Sequence, residues 1–320
     1  MKKIVTIGGG SGQSQVLKAL KKIKNIQITA ICPGTDSGGS TGILQKEYEG
    51  SGYTGDLTKC VVALCDNKVL SRALTFRYKN GSLHNHSVKN LLFHALEKVG
   101  NEQDALEIMW KICGLGVHRV IPVTKDKTEL CVKLSLGNVI SGETNIDLIA
   151  RNPLWNPNVH NISDIYLKPQ VNASKIAIEA INQANYIVVS PGDLYSSIIP
   201  TLLPKGMKEF ISKSKAKIIL ILNIMTKKGE TDDYTATDFV LNIEKRLGRS
   251  IDYIISNNKT ISKRVLLKYS LESKVELGGL KDSHDSKIIF VPLAFVTKAG
   301  QIYSDPKVIK NTLESIFSRI

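Results

Sequence analysis

The sequence contains no long hydrophobic run. Its strongest apolar stretch, Lys217–Asn223, has the length of a β-strand, whereas a helix that crosses a bilayer needs about 20 apolar residues. After two lysines the N-terminus enters a strand-like run and shows no signal-peptide core. An apolar share of 42% and a charged share of 22% are ordinary for a globular protein. We therefore expect a cytoplasmic protein without membrane contact.

Cysteine is scarce and lacks the spacing of a metal or redox motif. Five cysteines are scattered along the chain and none forms a C-x-x-C pair, which favours free thiols in a reducing compartment. Among six histidines only His84 and His86 lie close together, and no further ligands follow them at metal-binding spacing. A structural metal is not expected.

Arginine is also scarce in a strongly basic chain. The formal net charge is +14, yet only eight of the 43 basic residues are arginine, and the lysines are spread over the whole sequence. Nucleic-acid readers usually cluster basic residues and use the arginine fork. The charge therefore indicates a solvated lysine-rich surface, and no nucleic-acid partner is predicted.

Short apolar runs alternate with amphipathic stretches, the pattern of an α/β fold. The alternation predicts a Rossmann-like, mainly parallel sheet covered by helices. The strongest predicted strands are Ile4–Ile7, Ile26–Cys32, Tyr186–Val189, Ile218–Leu222, Ile251–Ser256 and Ile288–Leu293. The helical stretches include Gln13–Lys22, Val88–Val99 and Glu102–Cys113.

Residues 115–149 interrupt this alternation. Thr128–Ser135 and Asn138–Glu143 flank Leu136-Gly137 and interleave polar with apolar residues, which predicts a small antiparallel hairpin. Because no linker, repeat or low-complexity tract divides the chain, we expect one domain over residues 1–320, extended by this hairpin.

Glycine- and hydroxyl-rich loops follow four predicted strands. The first, GGGSG at 8–12, resembles a dinucleotide-binding turn, but Gln13 stands where the third glycine belongs and no Gly-Lys-Ser/Thr follows. The others span residues 33–42, 190–197 and 223–231. The carboxyl ends of parallel strands meet at one edge of a sheet, where glycine amides and helix N-termini bind phosphate. The loops together predict a binding site for a phosphate-bearing ligand.

Several polar residues near these loops allow more than one role. Asp36 could bind a ribose hydroxyl, hold a metal ion or cap a turn, although the glycines after it disfavour a nicotinamide enzyme. Asp56 and Asp193 could be helix caps or face the ligand. His86 could contact a phosphate, act as a base or cap a helix, and Tyr269 could stack on a base or belong to the core.

Six ordered motifs resemble one family, which groups the CofD-type 2-phospho-L-lactate transferases with the bacterial gluconeogenesis factor (YvcK-like) proteins. The motifs are GGGSG at 8–12, DSGGSTG at 36–42, GDLTKCVVAL at 55–64, HSVKNLL at 86–92, PGDLYSSI at 191–198 and NIMTKKGET at 223–231. The sequence departs from the family pattern at four positions. Ser37 replaces a second aspartate, Thr58 a basic residue, Lys89 a glycine and Tyr303 an arginine.

The resemblance implies a nucleotide-binding protein. The segments 194–197 and 225–231 are more similar to the gluconeogenesis-factor branch, whose expected ligand is UDP-N-acetylglucosamine and whose role is regulation of carbon metabolism and cell-wall growth. The transferase branch implies a guanylated phospholactate donor and a deazaflavin acceptor. The departures remove charged groups that phosphoryl chemistry would use, so a binding regulator is the preferred interpretation.

The predicted site follows from these loops and motifs. A metal-dependent transferase is the alternative, with Mg²⁺ on Asp36 and Asp56; no catalytic residue is assigned. The resemblance also allows a homodimer. The predicted nucleotide-binding residues are Gly9, Gly10, Ser11, Gly12, Asp36, Gly38, Gly39, Ser40, Thr41, His86, Asn90, Gly192, Asp193, Tyr195, Ser196, Ser197, Asn223, Thr226 and Tyr269.

Overall fold

The computed structural model describes residues 1–35, 37–48, 54–149, 156, 160–270, 277 and 287–318. The first half of the chain contains β1 (Lys2–Ile7), α1 (Gly10–Leu20), β2 (Ile26–Cys32), α2 (Gly39–Tyr48), α3 (Thr54–Leu64), α4 (Lys68–Thr75), α5 (Val88–Val99), α6 (Glu102–Ile112), β3 (Arg119–Pro122), β4 (Glu129–Leu134), β5 (Val139–Ser141) and α7 (Glu143–Leu148).

The second half contains β6 (Ile162–Lys168), α8 (Lys175–Gln183), β7 (Tyr186–Val189), a π-helical turn (Leu194–Ile198), α9 (Ile199–Leu202), α10 (Met207–Lys213), β8 (Lys217–Ile221), α11 (Ala236–Leu247), β9 (Tyr253–Asn257), α12 (Lys263–Ser270), β10 (Ile288–Val291), β11 (Ala294–Val296), β12 (Ile302–Ser304) and α13 (Pro306–Ser318).

The central sheet confirms the predicted Rossmann-like fold. Within the described residues it has seven strands in the order β10-β9-β8-β7-β1-β2-β3, and every neighbouring pair is parallel. The chain leaves β1 toward β2 and β3, and later returns to add β7 on the other side of β1. The strand order therefore reverses between β1 and β7, and ligands of such sheets bind outside the carboxyl ends of the strands at that point.

The predicted antiparallel extension is present and larger than expected. β4 pairs with β5 across a turn in which Gly137 has a φ of 91°. β6, which the sequence analysis did not identify, pairs with the other edge of β4 and completes a three-stranded sheet. β11 and β12 form a further antiparallel pair near the C-terminus.

Two apolar clusters cover the two faces of the central sheet. Ile4 packs in one cluster and its neighbour Val5 in the other, and Val188 and Val189 divide in the same way. Because side chains alternate across a strand and both faces are covered, these strands are continuous apolar runs. No helix in the described part of the chain is long and apolar enough to cross a membrane.

Gln13, at the position of the missing third glycine, is a structural residue. Its side chain is fully buried, and Nε2 donates to Thr6 O at 3.3 Å, Thr6 Oγ1 at 3.0 Å and Ile31 O at 3.1 Å. Oε1 accepts from the thiols of Cys32 and Cys60. The amide thus joins α1 to the ends of β1 and β2, where a glycine would leave buried backbone carbonyls without this donor.

Glu102 at the start of α6 makes stability depend on pH. Burial raises its pKa to about 7, and Lys125 opposes the rise only in part. The folded protein therefore holds this proton more tightly than the unfolded chain. The associated stability is fully present below about pH 4.5 and is lost as the pH rises through about 7.

We expect Glu102→Gln to raise the free energy of unfolding by about 1 kcal/mol at pH 8 and to change it little at pH 5. The expected gain is smaller than the free energy that corresponds to the full pKa shift, because the carboxylate keeps some contact with water that screens its charge. Urea denaturation at the two pH values measures it, with Glu107→Gln on an exposed position of the same helix as control. An equal gain at both pH values would contradict the assignment.

Candidate functional site

A cavity of about 380 Å³ lies at the carboxyl ends of β1, β7 and β8. The loops after these three strands form much of its wall, and α7, α12 and β12 contribute the remainder. The lining residues are Ser11, Gly12, Gln15, Asp147, Pro191, Gly192, Asp193, Asn223, Ile224, Met225, Thr226, Lys227, Tyr269, Ile302, Tyr303 and Ser304. Three of the four predicted loops therefore converge on one cavity.

The first loop packs so closely against Pro191 and Asp56 that two of its glycines have no room for a side chain. A Cβ on Gly12 would lie 1.7 Å from Pro191 O, and one on Gly9 would lie 2.2 Å from Asp56 Oδ2. α1 begins at Gly10, and its first turn has neither an acidic residue nor a side-chain cap. The positive end of the helix dipole, with Ser11 and Gly12 in the cavity wall, is therefore suited to an anionic group.

Asn223 links the loop after β8 to the loop after β7. Its Nδ2 donates to Gly192 O at 2.6 Å, and Gly192 N donates to its Oδ1 at 2.9 Å. Both donor and acceptor of the side-chain amide are used by the protein. Asn223 therefore positions Gly192 in the cavity wall.

Lys227 stands among three carboxylates beside the cavity. Its ammonium contacts Asp147, lies 2.6 Å from Asp193 Oδ2 and 3.1 Å from Glu230 Oε1. Burial alone would lower the pKa of Lys227, but the three carboxylates raise it above its ordinary value, so the side chain is a cation. One oxygen of each carboxylate lies within 4.8 Å of the others, an arrangement that suits a metal ion. Lys227 already supplies the positive charge there.

Glu230 anchors the π-helical turn from inside the protein. Its fully buried carboxylate accepts from Tyr195 N at 3.0 Å, Ser196 N at 3.2 Å and Ser196 Oγ at 2.6 Å. The Tyr195 hydroxyl lies 2.7 Å from the hydroxyl of Tyr234, and burial raises the pKa of Tyr195. The side chains of Tyr195 and Ser196, both predicted ligand residues, thus face protein partners, and neither lines the cavity. Ser197 is half-buried behind Gly192.

A second group of predicted residues lies around the starts of α2, α3 and α5 and does not line the cavity. Ser40 and Thr41 are buried in the first turn of α2, after Gly38 and Gly39. Ser40 Oγ lies 3.0 Å from Nδ1 of the buried His86. The structure therefore brings the second and fourth sequence motifs together. Asp36 lies outside the described residues.

Two departures from the family pattern touch each other in this second group. Lys89 Nζ donates to Thr58 Oγ1 at 2.7 Å and to Asn90 Oδ1 at 2.6 Å. The side chain of Lys89 is buried, so a basic residue from α5 stands beside Thr58, the position at which the family's basic residue is missing. Asp56, in the first turn of the same helix as Thr58, lies 3.9 Å from the ammonium of Lys59.

Tyrosines from the C-terminal half form the aromatic part of the cavity wall. Tyr269 on α12 lines the cavity, and its hydroxyl accepts from Ile302 N at 2.7 Å. Tyr303 on β12 lines it as well. Tyr269 is a residue that the sequence predicts at the site, whereas Tyr303 is identified from the sequence only as a departure from the family pattern. Gln15, Asp147 and Lys227 line the cavity without having been predicted, and of these only Lys227 belongs to a motif, NIMTKKGET.

Comparisons with known proteins give consistent matches. The sequence profile of the CofD family, described as 2-phospho-L-lactate transferase CofD, matches residues 4–287. A protein of Thermotoga maritima named "Putative gluconeogenesis factor" is 37% identical over 272 residues, 84% of this chain and 83% of that protein. A gluconeogenesis factor of Listeria innocua is 34% identical over 272 residues, 82% and 80% of the two chains.

A solved structure matches the fold along almost the whole chain. The crystal structure of a UPF0052-family protein from Bacillus halodurans superposes with a TM-score of 0.88 at 28% identity, over 98% of this chain and 99% of that chain.

Proposed function

We propose, since this chain belongs to the CofD family, that it is a regulator of the gluconeogenesis-factor type that binds a nucleotide sugar of the UDP-N-acetylglucosamine kind. Binding would report on carbon metabolism and cell-wall growth. The proposal places the protein in the cytoplasm and involves neither nucleic acid nor a membrane.

The cavity at the switch point of the sheet carries this proposal. Its volume of about 380 Å³ falls within the range of about 300–1,000 Å³ that is usual for small-molecule sites. Ser11 and Gly12 at the N-terminus of α1 suit the diphosphate. The rings of Tyr269 and Tyr303 offer stacking surface for the base, and the carboxylates of Asp147 and Asp193 accept hydrogen bonds from sugar hydroxyls.

The charges around Lys227 favour binding over chemistry. A cationic clamp on a transferring phosphoryl group must be available to the developing charge. Lys227 is instead engaged by Asp147, Asp193 and Glu230, and Asn223 is engaged by Gly192. The polar groups that border the cavity therefore hold the loops in place more than they prepare a reaction.

A Mg²⁺-dependent transferase is the second candidate, and Asp56 favours it. A Cβ on Gly9 would lie 2.2 Å from Asp56 Oδ2, so this carboxylate stands directly against the first glycine loop. A carboxylate beside bound phosphates suits Mg²⁺, which is commonly held by one or two carboxylates and the phosphates themselves. Asp56 would hold the ion in that case.

Thermal-shift and calorimetric titration with UDP-N-acetylglucosamine test the regulator. At 100 times the dissociation constant the ligand is expected to stabilise the protein by about 2.7 kcal/mol, which raises Tm by several degrees. Tyr269→Ala is expected to weaken binding at least tenfold, while Tyr269→Phe keeps the ring and most of the affinity. Absence of stabilisation, or equal affinity in the alanine variant, would reject the proposed ligand or its place.

The same titration distinguishes the two candidates. Binding that needs no Mg²⁺ is expected for the regulator. Stabilisation by guanosine nucleotides that requires Mg²⁺ and is lost in Asp56→Asn would favour the transferase.

A further inference from the structure

α4 presents a second apolar row beside its buried face, one residue out of step with it along the helix. Leu74 is buried and Leu70 packs against the core. Val69, Ala73 and Phe76 follow the i, i+4, i+7 spacing of one helical face, and Val69 and Phe76 are 77% and 56% exposed. We call Val69, Arg72, Ala73, Phe76 and Val88 the α4 groove, because together they line an open hollow of about 570 Å³.

The rim of the α4 groove is basic. Arg72 lines the groove itself, and Lys68, Arg77 and Lys79, which lie next to or near lining residues in the sequence, are exposed. Residues 67–96 include five lysines and arginines and no aspartate or glutamate; the nearest acidic residue before them is Asp66. This segment therefore combines exposed apolar surface with one sign of charge.

The turn after α4 holds the groove in shape. Val88 N donates to Phe76 O at 3.1 Å and Tyr78 N donates to His86 O at 3.0 Å, and the rings of Phe76 and Tyr78 meet edge to face at 5.2 Å. The apolar surface is therefore displayed by fixed backbone. Exposed apolar patches rimmed by polar residues commonly mark protein interfaces.

We propose that the α4 groove docks a segment of another protein that carries acidic residues around one or two large apolar side chains. The apolar hollow takes the apolar anchor, and the basic rim is complementary to the acidic flanks. A second copy of this chain is disfavoured because a two-fold contact through the groove would bring the basic rims together. The proposal does not depend on the nucleotide cavity.

The groove offers variants with a matched control. Arg72→Glu combined with Phe76→Ser reverses one rim charge and removes one apolar side chain of the groove; both positions are exposed, so the fold is expected to be kept. Lys98→Glu combined with Val99→Ser makes the corresponding changes, a charge reversal and an apolar-to-serine replacement, at the end of α5. Both side chains are exposed there, Val99 to 93%. Unchanged circular dichroism and a similar Tm establish that both variants fold.

Selection from a phage-displayed library of random peptides on the full-length chain tests the proposal. We expect enriched peptides with aspartate or glutamate around leucine, phenylalanine or tryptophan. Their affinity should fall at least tenfold with the groove variant, stay unchanged with the α5 variant and weaken as salt rises.

Three outcomes would overturn the proposal. One is a selection that yields no peptide whose affinity differs between the wild type and the groove variant. Another is binding of poly(U) RNA that displaces the peptides and is lost in the groove variant, which would make the surface a nucleic-acid site. The last is a dimer by light scattering that the groove variant converts to a monomer, which would assign the groove to a second copy of the chain.

Discussion

Replacement of Glu230 by alanine is expected to lower the free energy of unfolding by about 3–5 kcal/mol, the usual cost of removing one member of a buried charged network. The substitution leaves the backbone N–H groups of Tyr195 and Ser196 and the hydroxyl of Ser196 without their acceptor in the interior. It also removes one of the three carboxylates that surround Lys227.

Urea denaturation at neutral pH measures this loss, and Glu209→Ala is its matched control. Glu209 also pairs with a lysine, Lys213, at 2.9 Å, but its side chain is 62% exposed. Its replacement is expected to cost less than about 0.5 kcal/mol, as for other exposed helix pairs. Equal losses in the two variants would show that Glu230 does not anchor the π-helical turn.

Gly12→Ala is expected to lower the free energy of unfolding by about 2–3 kcal/mol and to weaken the proposed nucleotide-sugar binding at least tenfold. The added Cβ would lie 1.7 Å from Pro191 O and 2.6 Å from Pro191 C, so backbone must move, and overpacking of this kind typically costs about 1–3 kcal/mol. Because Gly12 and Pro191 both line the cavity, the same movement changes the ligand's surroundings.

Gly192→Ala separates the steric effect from the loss of a glycine. At Gly192 the nearest atoms to an added Cβ are Ser197 Cβ at 3.4 Å and Ile198 Cγ1 at 3.6 Å, which are ordinary contacts. We expect its unfolding free energy to stay within about 1 kcal/mol of the wild type. Calorimetric titration and urea denaturation measure both variants; wild-type stability in Gly12→Ala would mean that the two loops are not in backbone contact.

The central strands were predictable because burial on both faces makes them continuous apolar runs. Ile4–Ile7 and Tyr186–Val189 contain only apolar side chains and Thr6. β3 and β6 were missed for a physical reason. β3 has four residues at the sheet edge, and β6 is identified by its pairing with β4, which lies about 30 residues earlier in the chain.

The parts of the candidate site formed by glycine loops after strands could be predicted from the sequence. The parts in which tertiary contacts set the direction of a side chain could not. The convergence of three loops follows from the parallel topology. The inward direction of Tyr195 and Ser196 depends on Glu230, which lies 34–35 residues later in the chain. No local sequence pattern predicts this direction. The wall formed by Asp147 and Tyr303 likewise depends on elements that come from distant parts of the chain.

The Asn223–Gly192 contact continues the register of the sheet beyond the ends of its strands. β7 and β8 pair with an offset of 31 residues, as in Val189 with Leu220, and Gly192 with Asn223 keeps that offset. The side-chain amide therefore ties the two loops together in the register of the strands that precede them. A ligand that pushed these two loops apart would have to break both hydrogen bonds of the Asn223 amide.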